Sequence, residues 1–221
     1  MKDGKRDGLH TRWYENGKKE SEYIYESGQR VSGNDYQNIE DGLYTTQYEN
    51  GQMSYEGTFK DGKEDGLIIQ WYESGQKLSE VNYNDGKKHG LETQFLQNGQ
   101  KYKETTYKDG KIDGVITSYY NGWKDYEETW KDGVQDGLCT GWYENGQKES
   151  EGIKKDHGMN GLQTRWYENG QKMKEWTIIN RYSEGPITEW YENGQKKLEG
   201  VYKDRKWVSK KEWNEDGSVK E

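Results

Sequence analysis

A chain of 221 residues would ordinarily fold as one or two globular domains, but 28% apolar against 33% charged residues leave too little oil for an ordinary core. Leu, Ile, Val and Phe number only 28, a level at which charged chains usually stay disordered; against that stand 19 Tyr and 10 Trp, with 29 Gly, one Pro and no Ala, a balance that favours short strands and tight turns over helices. The net charge of −8 excludes the basic footprint of a nucleic-acid binder and disfavours anionic lipid, while the single Cys139 excludes an intrachain disulfide and a zinc knuckle.

The chain begins Met1-Lys2-Asp3-Gly4-Lys5-Arg6-Asp7-Gly8, which has no apolar stretch of the kind an export signal needs, and no later run approaches the ~18 apolar residues of a membrane-spanning helix. A soluble, cytoplasmic protein is expected. Turn glycines then recur along the chain at Gly17, Gly28, Gly51, Gly75, Gly99, Gly122, Gly146, Gly170, Gly194 and Gly217; after one 11-residue step every interval is 23 or 24. Self-similarity at such a period marks a repeat architecture. The reading is one domain over residues 1–221, of about nine units, with an atypical first unit at 1–41 and a degenerate, Lys-rich cap at 203–221.

A fully formed unit runs over residues 60–83 and carries two turn signals, Asp-Gly at Asp61-Gly62 and a Tyr-Glu-Asn-Gly-like segment closing at Gly75. Both dipeptides suit the two positive-φ positions of a type I′ hairpin turn. The turns lie 11 to 13 residues apart, room for one strand and too little for a helix. Between them the pattern alternates: Leu67, Ile69 and Trp71 share a face, as do Leu138, Thr140 and Trp142, and Leu162, Thr164 and Trp166. Counting outward from a two-residue Asn-Gly loop pairs Gly42 with Phe59, Gly66 with Tyr83, Gly185 with Tyr202, Thr164 with Glu175 and Thr188 with Glu199. An aromatic ring laid over a cross-strand glycine shields backbone and gains a flat seat. A glutamate recurs at Glu56, Glu80, Glu104, Glu127, Glu151, Glu175 and Glu199, with a lysine three residues before all but the first. Copies ~10 Å apart, about a Debye length, repel only modestly, so this reads as a solvated ladder.

The segments G-T-F-K-D-G-K-E-D-G-L at 57–67 and W-Y-E-N-G-Q-K at 142–148 and 166–172 resemble the bacterial variant form of the MORN repeat, and the chain is similar to toxin–antitoxin system YwqK-family antitoxins. The resemblance covers essentially the whole chain. It implies an all-β fold, an elongated twisted single antiparallel sheet of successive hairpins, used as a scaffold or interaction surface; some such proteins are linked to phospholipid. Leu96, Lys154, Ile178 and Asn180-Arg181-Tyr182 depart from the pattern.

No catalytic constellation stands out. His10, His89 and His157 occur singly, and a glutamate repeated in equivalent surroundings lacks the contrast in environment that acid–base pairs require. Cys139 reads as a small, partly buried strand residue. The expectation is a non-enzyme without metal or cofactor, mediating contact with another protein, with antitoxin-like neutralisation as the special case the resemblance suggests. The candidate surface is a row of tyrosines, Tyr14, Tyr48, Tyr72, Tyr120, Tyr143, Tyr167 and Tyr191, since Tyr joins apolar area to a hydrogen-bonding tip; the same rings could simply fill the sheet's own side-chain layer. Structural turn roles fall to Gly51, Gly75, Gly99, Gly122, Gly146, Gly170 and Gly194. The alternative functions are aromatic stacking on a cell-wall polysaccharide and membrane phospholipid association. Exposed terminal strands leave an end-to-end homodimer open.

Overall fold

A computed structural model describes residues 8–13, 19–26, 29–35, 41–155 and 158–221. Among these every regular element is a strand. β1 (Gly8–Trp13), β2 (Lys19–Glu26) and β3 (Gln29–Asp35) form a three-stranded sheet. Fifteen more strands form a second antiparallel sheet in strict sequence order: β4 (Gly42–Gln47), β5 (Met53–Lys60), β6 (Lys63–Trp71), β7 (Lys77–Asn84), β8 (Lys87–Phe95), β9 (Lys101–Lys108), β10 (Lys111–Tyr120), β11 (Trp123–Lys131), β12 (Val134–Trp142), β13 (Lys148–Lys155), β14 (Gly158–Trp166), β15 (Lys172–Ile179), β16 (Tyr182–Trp190), β17 (Lys196–Lys203) and β18 (Lys206–Glu212). Contacts group the chain into two units, residues 1–92 with 97–99, and residues 93–96 with 100–221.

The expected register holds where aromatic meets glycine: Gly42 lies opposite Phe59, Gly66 opposite Tyr83 and Gly185 opposite Tyr202. Thr164 faces Glu175 and Thr188 faces Glu199. The two turn types differ, however. At the Asp-Gly turns both central residues have positive φ, as at Asp61 (51°) and Gly62 (70°), the type I′ geometry expected. At Tyr48–Gly51 only the glycine does (84°); its N–H donates to the Tyr48 carbonyl at 2.9 Å and the Tyr48 N–H donates to the Gln52 carbonyl at 2.8 Å. This is a type I turn followed by a left-handed glycine and a bulge, and Tyr72–Gly75, Tyr143–Gly146, Tyr167–Gly170 and Tyr191–Gly194 repeat its hydrogen bonds. The Asn50 carboxamide oxygen accepts the Gln52 N–H at 2.9 Å, which holds Asn50 out of the left-handed region. One extra residue in the returning strand restores the pairing beyond the bulge, so the register came out as counted from a different turn. Among the described residues only Asn121 (48°) and Gly122 (88°) close a two-residue type I′ loop at this end of the unit, where the spacing falls to 23.

In the first unit the core is Tyr55, Phe59, Ile68 and Val81, flanked by Tyr44 and Tyr83, all on one sheet face. Tyr44, Gly57, Ile68 and Val81 are successive cross-strand partners. A Cβ on Gly57 would collide with Ile68 and the Tyr55 ring, so glycine is what lets those side chains close over the strand. Full burial of an Ile or Phe side chain contributes about 1.5–3 kcal/mol. The corresponding row in the second unit is more polar: Ile116, Glu128, Cys139, Gly152, Gln163 and Trp176 follow one another across the strands. There Glu128 accepts from the Trp130 indole at 2.9 Å and from Gln135, and pairs with Lys154 at 3.4 Å.

Candidate interaction surface

The repeated residues engage one another. Along the edge of bulged turns, the Tyr48 hydroxyl donates to the Trp71 carbonyl at 2.6 Å, and Tyr143, Tyr167 and Tyr191 do the same to Trp166, Trp190 and Trp213 at 2.7, 2.8 and 2.8 Å. The Asn50 amide reaches the Glu73 carbonyl at 2.9 Å, one repeat on; Asn145, Asn169 and Asn193 reach Glu168, Glu192 and Glu215 at 2.8, 2.9 and 3.0 Å. Each of these Y-E-N-G-Q segments is therefore stapled to the next turn. The candidate tyrosines Tyr48, Tyr72, Tyr143, Tyr167 and Tyr191 are half-buried, and in the four staples the hydroxyl is already donating to main chain. Tyr120 differs: it sits in the tight Asn121-Gly122 hairpin, 62% exposed, edge-on to Trp123. Tyr14 lies outside the described residues, as does His157. The turn glycines Gly51, Gly75, Gly99, Gly122, Gly146, Gly170 and Gly194 all have φ between 80° and 88°.

At the opposite edge, an acidic residue of one unit accepts the N–H of the next tight turn: Asp41 from Asp61 at 2.7 Å, Asp65 from Asp85 at 3.3 Å, Asp113 from Asp132 at 3.4 Å and Glu184 from Asp204 at 3.4 Å. Asp85 is held below the usual carboxylate range by the Lys63 ammonium, 2.5 Å away. Asp113 is lowered in the same way, first by Lys131.

Six of the seven ladder glutamates are neutralised within the sheet. Lys77, Lys124 and Lys196 pair with Glu80, Glu127 and Glu199 at 2.8–2.9 Å, Lys101 and Lys172 with Glu104 and Glu175 at 2.5 Å, and Lys148 with Glu151. The same lysines lie over the next unit's ring: Lys124 is 3.8 Å from the Trp142 centroid, and Lys148, Lys172 and Lys196 are 5.7–6.0 Å from those of Trp166, Trp190 and Trp213. Each of these indoles thus has a cation within cation–π range.

The repeat also leaves a row of aliphatic side chains exposed. In the first unit Leu43, Leu67 and Leu91, each following a strand glycine, project to solvent. In the second unit Val115, Leu138, Ile153, Leu162 and Val201 are 37–52% exposed on the face shared with the Lys–Glu pairs. Leu138 faces Ile153, Leu162 faces Thr177, Pro186 faces Val201 and Val201 faces Ser209. None of these paired side chains is charged, in a chain that is 33% charged. Sequence reasoning placed the leucines on one face without recognising that they stay open to solvent. The signal was present in the Gly-Leu dipeptide recurring with the repeat.

The MORN repeat variant family matches residues 6–29, 40–61, 64–85, 88–109, 135–153, 159–180 and 183–204. The chain belongs to this family. Among curated proteins none matches it. Membership accounts for the hairpin architecture and agrees with a repeat scaffold for protein or membrane interaction. The segment around 110–134, between matched stretches, is where the turn shortens and Tyr119 replaces Trp under Lys101, 5.8 Å from its ring.

Proposed function

We propose that this MORN repeat chain is a non-enzymatic scaffold that binds another protein through the uncharged aliphatic row on the ladder face of its sheet. The carrying observation is that row: exposed Leu, Ile and Val side chains flanked by self-neutralised polar ladders, the arrangement of an apolar centre within a polar rim. Antitoxin-like neutralisation of the partner is the specific form suggested by the similarity to YwqK-family antitoxins. Support for a non-catalytic role comes from the repeat residues themselves, whose hydroxyls, amides and carboxylates hold neighbouring turns together.

The test is capture of partners from the native host by the wild-type chain and by Leu138→Glu/Leu162→Glu. Both leucines are half-exposed, so the variant should keep its stability to within about 0.5 kcal/mol and lose the captured protein. Capture of the same protein at the same yield by the variant would sink the proposal.

A further inference from the structure

The sheet of the second unit has one place where the repeat grammar gives way to a cluster of cations. Arg165 on β14, Lys174 on β15 and Glu189 on β16 are successive cross-strand partners. By the alternation of strand side chains they lie on the face opposite Leu162 and the aliphatic row. With Lys197 they line a cleft of about 200 Å³ whose walls include Tyr167, Met173 and Trp190. Lys174 is paired with Glu189 at 2.9 Å. Arg165 and Lys197 are exposed and have no ion pair among the described residues. Arg165 and Lys174 both lie over the Trp176 ring, 5.9 and 5.5 Å from its centroid, so two like charges converge on one indole. Lys197 lies over Tyr191 at 5.7 Å.

The repeat does not demand these residues. One unit earlier, the position of Arg165 is Gly141 and that of Lys174 is Ser150; in the unit of β6 and β7 they are Gln70 and Ser79. In a repeat scaffold the recurrent side chains build the frame, and side chains particular to one copy are available for recognition. Here the particular ones are cationic, in a chain of net charge −8. A guanidinium without a salt-bridge partner offers a planar fork to a carboxylate, Lys197 adds a second charge, and Met173 adds an apolar side chain to the lining against which a carboxylate-bearing side chain can pack.

We infer that this cleft is a second binding site, which takes an acidic protein segment by seating an Asp or Glu carboxylate between Arg165 and Lys197. It goes beyond the aliphatic-row reading and lies on the other face, so the two can fail separately. The probe is a fluorescein-labelled peptide of alternating Glu and Gly, followed by fluorescence polarisation with the full-length chain. Binding at low salt should weaken about tenfold in Arg165→Ala/Lys197→Ala. Lys60→Ala/Lys87→Ala, which removes the same net charge elsewhere, should bind within about twofold of wild type. Leu138→Glu/Leu162→Glu should bind like wild type, whatever it does to partner capture. Equal weakening in the two lysine-containing pairs would mean diffuse electrostatics and overturn the inference. No binding at low salt would overturn it as well, as would complete displacement of the peptide by an equal concentration of inorganic phosphate, which would make the cleft a site for small anions.

Discussion

A tyrosine hydroxyl on a neighbouring carbonyl is a small interaction that this chain uses repeatedly. Tyr143→Phe and Tyr167→Phe should each lower unfolding free energy by about 1 kcal/mol, measured by urea denaturation, whereas Tyr120→Phe, at an exposed hairpin tip, should change it little. Ionisation would remove the same donors. Burial raises the pKa of Tyr143, Tyr167 and Tyr126, and that of Tyr119 is pushed up to about 12 by burial and by its 2.6 Å hydrogen bond to Glu104. A raised folded-state pKa favours the protonated form, so this stability is fully present below the ordinary tyrosine value of 10.0 and is lost as pH climbs towards 12. The melting temperature should therefore fall across that alkaline window, and less steeply in Tyr119→Phe. Glu104 behaves oppositely: burial would raise its pKa, but the hydrogen bonds from Lys101 and Tyr119 outweigh it and the net shift is downward. Its contribution is present above 4.5 and fades as pH drops through the lowered value.

At the scale of the hairpin, the tight turns tolerate residues that the repeat elsewhere avoids. Asn180-Arg181 and Asp204-Arg205 keep the type I′ shape with arginines at φ 69° and 61°, a conformation disfavoured for side chains with a Cβ. Arg181→Gly should raise stability by roughly 0.5–1 kcal/mol, read as a higher urea midpoint. These turns also show what was legible in the chain and what was not. Strand alternation, glycine spacing and the Gly66–Tyr83 register are properties of one chain's local pattern, and they could be counted. The bulged turn at Tyr48–Gly51 could not, because Asn50 is drawn from the left-handed region by a bond to Gln52 while its amide reaches the next repeat at Glu73. The tyrosine row was countable as a row; its hydroxyl contacts, 22 or 23 residues away, depended on how hairpins stack. The Arg165 cleft was hidden for the same reason, since its cations come from different repeats.

For the molecule as a whole, the substantial strand contacts among the described residues are between sequence neighbours. Stability should then accumulate by increments. Removing residues 148–171 deletes one 24-residue period and joins Gln147 to Lys172, so that the Tyr143 hydroxyl meets the Trp190 carbonyl in place of Trp166. The shortened chain should still fold cooperatively with a β-type circular dichroism spectrum and a lower unfolding free energy; an unfolded product would contradict additive neighbour coupling. The staples also have a direction, since in each of them Tyr and Asn of one turn donate to the turn after it. At 213–218 that relay changes. Asn214 stands where Tyr stood and bonds Ser218 at 2.9 Å, while Asp216 stands where Asn stood and accepts from the Ser218 N–H at 2.8 Å and hydroxyl at 2.6 Å. The turn at 213–218 thus spends its side-chain donors within itself, and rewriting it by Asn214→Tyr, Asp216→Asn and Ser218→Gln would give it the forward-reaching donors that the earlier turns carry.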